Sequence, residues 1–330
     1  MIARRVFVIG CTGTIGQATV RALVRDGHSV VCFVRSKAGV NGALKPTDSV
    51  RLFAGATVRF GDVTDPASLK RDGFCGEHFD VLVSCLASRT GNPVDARAID
   101  YQAHMHALDA AIQAGIKHVV LLSAICVQKP RLAFQRAKLD FEQALMQSGL
   151  TYSIVRPTAF FKSLSGQVMR VKAGKPFVVF GDGSLTSCKP VSDSDLGDYL
   201  ASCLNDPSRH NRVLPIGGPG EAMTPKQQGE ILFSLIGKKP RFKHVPLGLL
   251  DVIIFVLDAL GHVVPAWRAK ADLARIGRYY ATESMLVWDA EKGCYDAAAT
   301  PSTGKQTLTE HYRDLISGAA TNERGDHAVF

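Results

Sequence analysis

Apolar residues in the first half of the chain fall in short continuous runs separated by stretches of helical spacing. Residues 6–9, 29–34, 57–60, 81–86 and 118–122 read as strands, and 151–155 as a sixth that closes at Arg156-Pro157. After the first run, Ile15, Ala18, Thr19, Ala22 and Leu23 recur as one face of a helix does. Uninterrupted apolar strands alternating with helices predict a parallel sheet covered on both faces. The fold class expected is α/β: a doubly wound parallel-sheet Rossmann domain with a smaller C-terminal substrate-binding lobe.

Beyond residue 158 the pattern loosens. Residues 177–180 and 213–216 look like further short strands. Thr224 opens a helix, with Pro225 at its first position and Gln227 completing a capping box. Residues 245–264 form a strongly apolar helical candidate in which Asp251 and Asp258, seven apart, share one face. Its other faces are too apolar for an ordinary surface helix. The plainer reading packs it beneath the second lobe; the other makes it a lid that touches an anionic membrane surface weakly. The expected division is a nucleotide-binding domain over 1–158, a lobe over 159–317 whose strands and helices complete the fold, and a mobile tail over 318–330.

Composition narrows the class. The 330 residues are 46% hydrophobic and 21% charged, unlike a disordered chain. No apolar run reaches the ~20 residues of a spanning helix. The net charge of +9 is spread along the sequence, which favours anionic ligands over a nucleic-acid-binding arm. None of the eight cysteines forms a C-x-x-C pair, and most sit in apolar runs. Small buried thiols in a reducing compartment are therefore expected, with no disulfide, metal or iron–sulfur cluster. The first strand begins almost at once, leaving no room for a leader, so the expected location is the cytoplasm.

Chemistry enters at the first turn. Gly10-Cys11-Thr12-Gly13-Thr14-Ile15-Gly16 follows a strand and opens a helix, the context in which glycines bring backbone and helix N-terminus against a pyrophosphate. Arg35 ends the second strand, with Lys37 beyond it, where an NAD site would carry an acid. A guanidinium there suits a 2′-phosphate, so NADPH is expected; a solvated strand-end arginine is the alternative. Asp62 and Val63 follow the third strand, where Asp62 either accepts from the adenine amino group or caps its own turn. Leu86 and Ala87 at the end of the fourth strand, and Pro157 and Thr158 after the sixth, complete the expected cofactor wall.

This arrangement resembles the short-chain dehydrogenase/reductases, which carry Tyr-x-x-x-Lys on the helix after strand five. Here that stretch is Phe134-Gln135-Arg136-Ala137-Lys138: the lysine is kept and the phenol is absent. The catalytic candidates are Lys138, Ser123 at the end of strand five, and Phe134 as the occupant of the tyrosine slot with no acid role. Phe134 also continues an apolar stripe through Ala137, Phe141 and Leu145. Carbonyl reduction builds charge on oxygen and is helped by a placed acid. Reduction of a conjugated alkene spreads that charge over the π-system, which tolerates the missing phenol.

Longer motifs carry a more specific likeness. The segments 123–130, 134–138, 152–164, 214–220 and 277–286 closely resemble the NADPH-dependent 3,8-divinyl chlorophyllide 8-vinyl reductases, over about residues 4–290. The resemblance implies an atypical short-chain dehydrogenase/reductase that reduces a C8 vinyl group to ethyl in (bacterio)chlorophyll biosynthesis. It implies a chlorophyllide-type tetrapyrrole as substrate, a CH–CH oxidoreductase activity, and, without a plastid leader, a phototrophic bacterium. Arg156, Phe160, Phe161 and Lys162 are candidate substrate residues, joined by Tyr279 and Tyr280; core packing is the competing role for the aromatic rings. The competing functions are another atypical reductase of conjugated alkenes, or a non-catalytic NADP-binding sensor or assembly factor.

Overall fold

The computed structural model describes residues 2–36, 45–264 and 266–320. A parallel sheet of seven strands forms its centre. These are β1 (Arg5–Ile9), β2 (Ser29–Val34), β3 (Thr57–Phe60), β4 (Val81–Ser84), β5 (His118–Leu122), β6 (Thr151–Pro157) and β8 (Arg212–Ile216). Their order is β3-β2-β1-β4-β5-β6-β8, so the winding direction reverses between β1 and β4. Val8 of β1 sits between Cys32 of β2 and Val83 of β4. Val6, Phe7 and Val8 are wholly buried, which is why the run lacks polar alternation.

Helix Thr14–Arg25 lays Ile15, Ala18, Ala22 and Leu23 on one face of the sheet, and helix Asp193–Ser202 packs beside it. A Cβ on Gly197 would stand 2.6 Å from the carbonyl carbon of Ala18, so this approach needs glycine. Ala107, Ala111, Phe141 and Leu145, from helices His104–Gln113 and Ala133–Gln147, cover the other face. A π-helical segment, Ala96–Ala103, leads into the first of these; such wide turns recur at functional sites. Both β8 and helix Asp193–Ser202 come from beyond residue 158, so the chain returns to the sheet after building part of the lobe. The lobe has its own core of Phe161, Val168, Phe177, Leu232, Phe233, Leu308 and Tyr312. There β7 (Phe177–Phe180) pairs with β9 (Phe242–Val245), and β10 (Val287–Asp289) with β11 (Cys294–Asp296). Thr224 caps helix Pro225–Leu235 through Gln227, as expected. Residues 321–330 of the expected tail lie outside the described residues.

The apolar candidate becomes helix Leu247–Gly261, paired with helix Ala266–Thr282. It does not pack beneath the lobe. Gly261 is its only buried residue, while Val252 is 59% and Phe255 74% exposed. Asp258 is bonded by Arg275 at 2.6 Å, and Asp251 by Arg278. The two acids turn toward the neighbouring helix to meet those arginines, and the apolar face is left outward.

Candidate active site

Because the strands are parallel, Ile9, Val34, Ser84, Leu122 and Pro157 all end at one edge, where ligands of such sheets bind. Gly10 leaves β1 with φ +72°, and a Cβ there would lie 2.3 Å from the amide nitrogen of Leu86. The turn can therefore press against the end of β4 only as glycine. A Cβ on Gly16 would meet the Gly10 carbonyl oxygen at 2.3 Å, so the helix also closes tightly on the turn. Gly13 is different: its Cβ would find only the Gly10 oxygen, at an ordinary 3.5 Å. Space stands open beside it. Gly13 is also the N-cap of helix Thr14–Arg25; it provides no side-chain cap, and the first turn has no acid. Uncapped amides and the positive end of a helix dipole face that space, which fits a pyrophosphate. Ile15 is buried beneath the turn and Thr12 is half-buried on it.

Arg35 is exposed at the end of β2 and makes no hydrogen bond or ion pair among the described residues; Lys37 lies outside them. Asp62 Oδ1 accepts from the Thr64 amide at 2.9 Å and from its hydroxyl at 2.7 Å, closing an Asx turn, while Val63 is buried. Leu86 is half-buried and Ala87 exposed at the end of β4. Pro157 and Thr158 are buried, and the Thr158 hydroxyl donates to the Lys189 carbonyl.

The lysine of the helix after β5 has a partner that the sequence did not announce. Lys138 Nζ stands 3.0 Å from Asp100 Oδ1, with only 10% of the Lys138 side chain and none of the Asp100 side chain exposed. The Ser88 amide donates to the same oxygen at 3.2 Å, and Asp100 Oδ2 has no hydrogen-bond partner among the described residues. Burial opposes charge on Asp100, yet the Lys138 ammonium and these bonds hold its carboxyl below the ordinary carboxylate range. Asp100, His104, Leu121, Ser123, Lys138 and Phe141 enclose a small void. His104 donates from Nδ1 to the Ile99 carbonyl at 2.8 Å, leaving Nε2 to accept from Ser84 Oγ at 2.8 Å. Burial, with Lys138 nearby, pushes its pKa down to about 4, so the ring is neutral at pH 7.

Ser123 and Arg156 meet on one buried acid. The Ser123 hydroxyl donates to Glu142, and Arg156 Nε donates to the same carboxylate at 3.2 Å. Ser123 is 5% exposed and Glu142 fully buried, so this triad joins β5, β6 and helix Ala133–Gln147 from inside. Phe161 is in the lobe core, its ring 5.2 Å from His311; Phe160 is half-buried against the sheet core. Lys162 Nζ donates to Thr14 Oγ1 at 2.8 Å, on the glycine turn. Phe134 is half-buried, its ring edge near Gly91. Tyr279 donates to the Cys126 carbonyl at 2.9 Å, and burial pushes its pKa up. The Tyr280 hydroxyl lies 4.0 Å from the Cys126 thiol, and burial again holds its proton.

Asp100 and Glu142 are thus the residues that motif reading missed. Their signal was an acid on a buried stripe: Ala96, Asp100, Ala103 and Ala107 in one helix, Lys138, Phe141, Glu142 and Leu145 in the other. Among the described residues no group of three or more His, Cys, Asp or Glu is placed to hold a metal ion. Cys75 and Cys294 are exposed; the other cysteines are buried or half-buried.

A Rossmann sheet, a glycine turn, a buried lysine and a tyrosine slot filled by Phe134 define an atypical short-chain dehydrogenase/reductase. Residues 10–207 match the NAD(P)H-binding family. The chain is 49% identical over 331 residues to the chloroplastic divinyl chlorophyllide a 8-vinyl-reductase of Zea mays, covering 98% of this chain and 82% of that one. It is 50% identical over 332 residues to the Cucumis sativus enzyme of that name, covering 98% and 79%. An NADPH-dependent quinone oxidoreductase from Escherichia coli, solved with NADPH, shares the fold with a TM-score of 0.67 at 19% identity, covering 94% of this chain and 99% of that one. The chain belongs to the divinyl chlorophyllide a 8-vinyl-reductase family.

The cofactor is NADPH, and the glycine turn and Arg35 fit it. Arg35→Asp should weaken NADPH binding by about ten- to a hundredfold, the worth of one charge-assisted phosphate contact. NADH binding should hold or improve. Titrating both nucleotides against the variant decides it, and unchanged NADPH affinity removes Arg35 from the site.

Proposed function

We propose that this protein reduces the C8 vinyl group of divinyl chlorophyllide a to ethyl, at the expense of NADPH. The observation that supports this reading most directly, beside the family, is a lysine kept at position 138 with Phe134 in place of the phenol. Bound NADPH supplies the hydride. Gly13, the first turn of helix Thr14–Arg25 and Arg35 would hold its phosphates, and Lys138, fixed by Asp100, would hold the nicotinamide ribose. Ser123 is committed to Glu142, which Arg156 also binds, so it positions β5 rather than the substrate. His104 stays neutral and keeps its one proton on the Ile99 carbonyl. Among the described residues the tyrosine slot holds Phe134 and no acid; the conjugated macrocycle would carry the charge of the added hydride until a proton from solvent completes the ethyl group. Near-full-length identity weighs against a non-catalytic sensor. The test is purified protein with NADPH and divinyl chlorophyllide a: a blue-shifted Soret band with monovinyl product is expected. NADPH binding without turnover of the pigment would overturn the proposal in favour of the sensor.

The reading extends to location: peripheral contact with the cytoplasmic face of a photosynthetic membrane. Leu249, Val252, Phe255, Val256 and Leu260 form an outward apolar face. Exposed Lys238, Lys239, Arg241 and Lys243 precede it, Arg268 and Lys270 follow it, and the two acids within it are paired. That charge pattern suits an anionic bilayer. No described helix is long and apolar enough to cross a membrane. The protein should float with phosphatidylglycerol vesicles at low salt and release at high salt, and Val252→Ser/Phe255→Ser should abolish flotation. A wild-type protein that never floats ends this part of the proposal.

A further inference from the structure

Lys162, a candidate pigment residue in the sequence, lies against the glycine turn. The short helix Phe161–Leu164 follows β6 and carries the Lys162 ammonium to Thr14 Oγ1, 2.8 Å away. Thr14 is the first residue of the helix that the glycine turn opens. This bond uses one of three ammonium donors. Among the described residues no carboxylate pairs with Lys162, and no other hydrogen bond occupies it. Asp193 is near enough to feel its charge, but burial raises the Asp193 pKa against the pull of Lys162 and Arg21. Its Oδ1 has no hydrogen-bond partner. So, among the described residues, a half-buried cation bonded only to Thr14 faces an uncapped helix start whose first turn carries no acid. An ammonium bonded only to a hydroxyl beside a helix start favours an anion there.

We infer that Lys162 binds the pyrophosphate of NADPH, as a cation that reaches the glycine turn from the start of the lobe rather than from the nucleotide-binding half. The inference rests on NADPH as the cofactor and assigns this residue to it instead of to the pigment. Cofactor binding would then fasten the first residues of the lobe to the glycine turn.

The test compares wild type with Lys162→Met, Lys162→Gln and Lys162→Arg. Each is titrated with NADPH, with 2′-phospho-ADP-ribose, which keeps the pyrophosphate, and with adenosine 2′-monophosphate, which lacks it. Lys162→Met should weaken the first two by about ten- to a hundredfold. Adenosine 2′-monophosphate should stay within about twofold. Lys162→Arg should recover most of the loss. Lys162→Gln keeps a donor for Thr14 without the charge, should behave as Lys162→Met, and decides the matter if the methionine variant fails to fold. Unchanged affinity for 2′-phospho-ADP-ribose in the neutral variants, or an equal loss with adenosine 2′-monophosphate, overturns the assignment. Failure of wild type to bind NADPH would instead remove the cofactor on which it rests.

Discussion

Lys138→Met should damage the protein twice. It leaves the Asp100 carboxylate buried without its cation, and breaking a buried pair in this way costs about 3–5 kcal/mol of stability. If Lys138 holds the ribose as proposed, its loss also frees that ribose, and misplacement by about an ångström at a hydride-transfer site lowers turnover about a hundredfold. The two effects separate in the double variant Lys138→Met/Asp100→Asn, which removes the stranded charge. Its urea midpoint should return most of the way to wild type while turnover stays low. Recovery of activity together with stability would show that Lys138 matters only as a counter-ion.

A contrast between two glycines should be equally large. Gly13→Ala needs no left-handed backbone and meets only an ordinary contact, so apo stability should change by less than about 1 kcal/mol. NADPH affinity should nonetheless fall by about ten- to a hundredfold, because the new methyl takes space the phosphates need. Gly10→Ala reverses the pattern: positive φ and a backbone overlap with Leu86 should cost about 2–4 kcal/mol before any ligand is added. Thermal unfolding and NADPH fluorescence, measured on both, check the pair. Unimpaired binding by Gly13→Ala would mean that the space beside it is not the phosphate site.

The strands of the central sheet were legible because burial on both faces leaves long apolar runs, and even the half-buried β3 kept its Val58 and Phe60. β9, β10 and β11 were not, since each has only three or four residues and is shaped by its partner rather than by its own pattern. Helix Leu247–Gly261 was found but misplaced: hydropathy argued for burial, and the arginines that orient it come from another helix. Of the candidate site, the glycine turn, Arg35 and Lys138 stand out as local motifs. Ser123 and Arg156 were read toward the reacting groups, but both serve Glu142, 19 and 14 residues away. Lys162 and Thr14 are 148 residues apart, and only the fold brings them together.

Phe134 has a bearing on selectivity among groups of one substrate. A tetrapyrrole macrocycle offers a reductase ketone oxygens as well as alkenes. A phenol in this position could protonate a forming alkoxide, making a ketone a competing acceptor. A half-buried hydrocarbon ring beside Gly91 can do no such thing. Phenylalanine at this position would therefore disfavour reduction of a ketone held beside it without hindering reduction of a conjugated alkene.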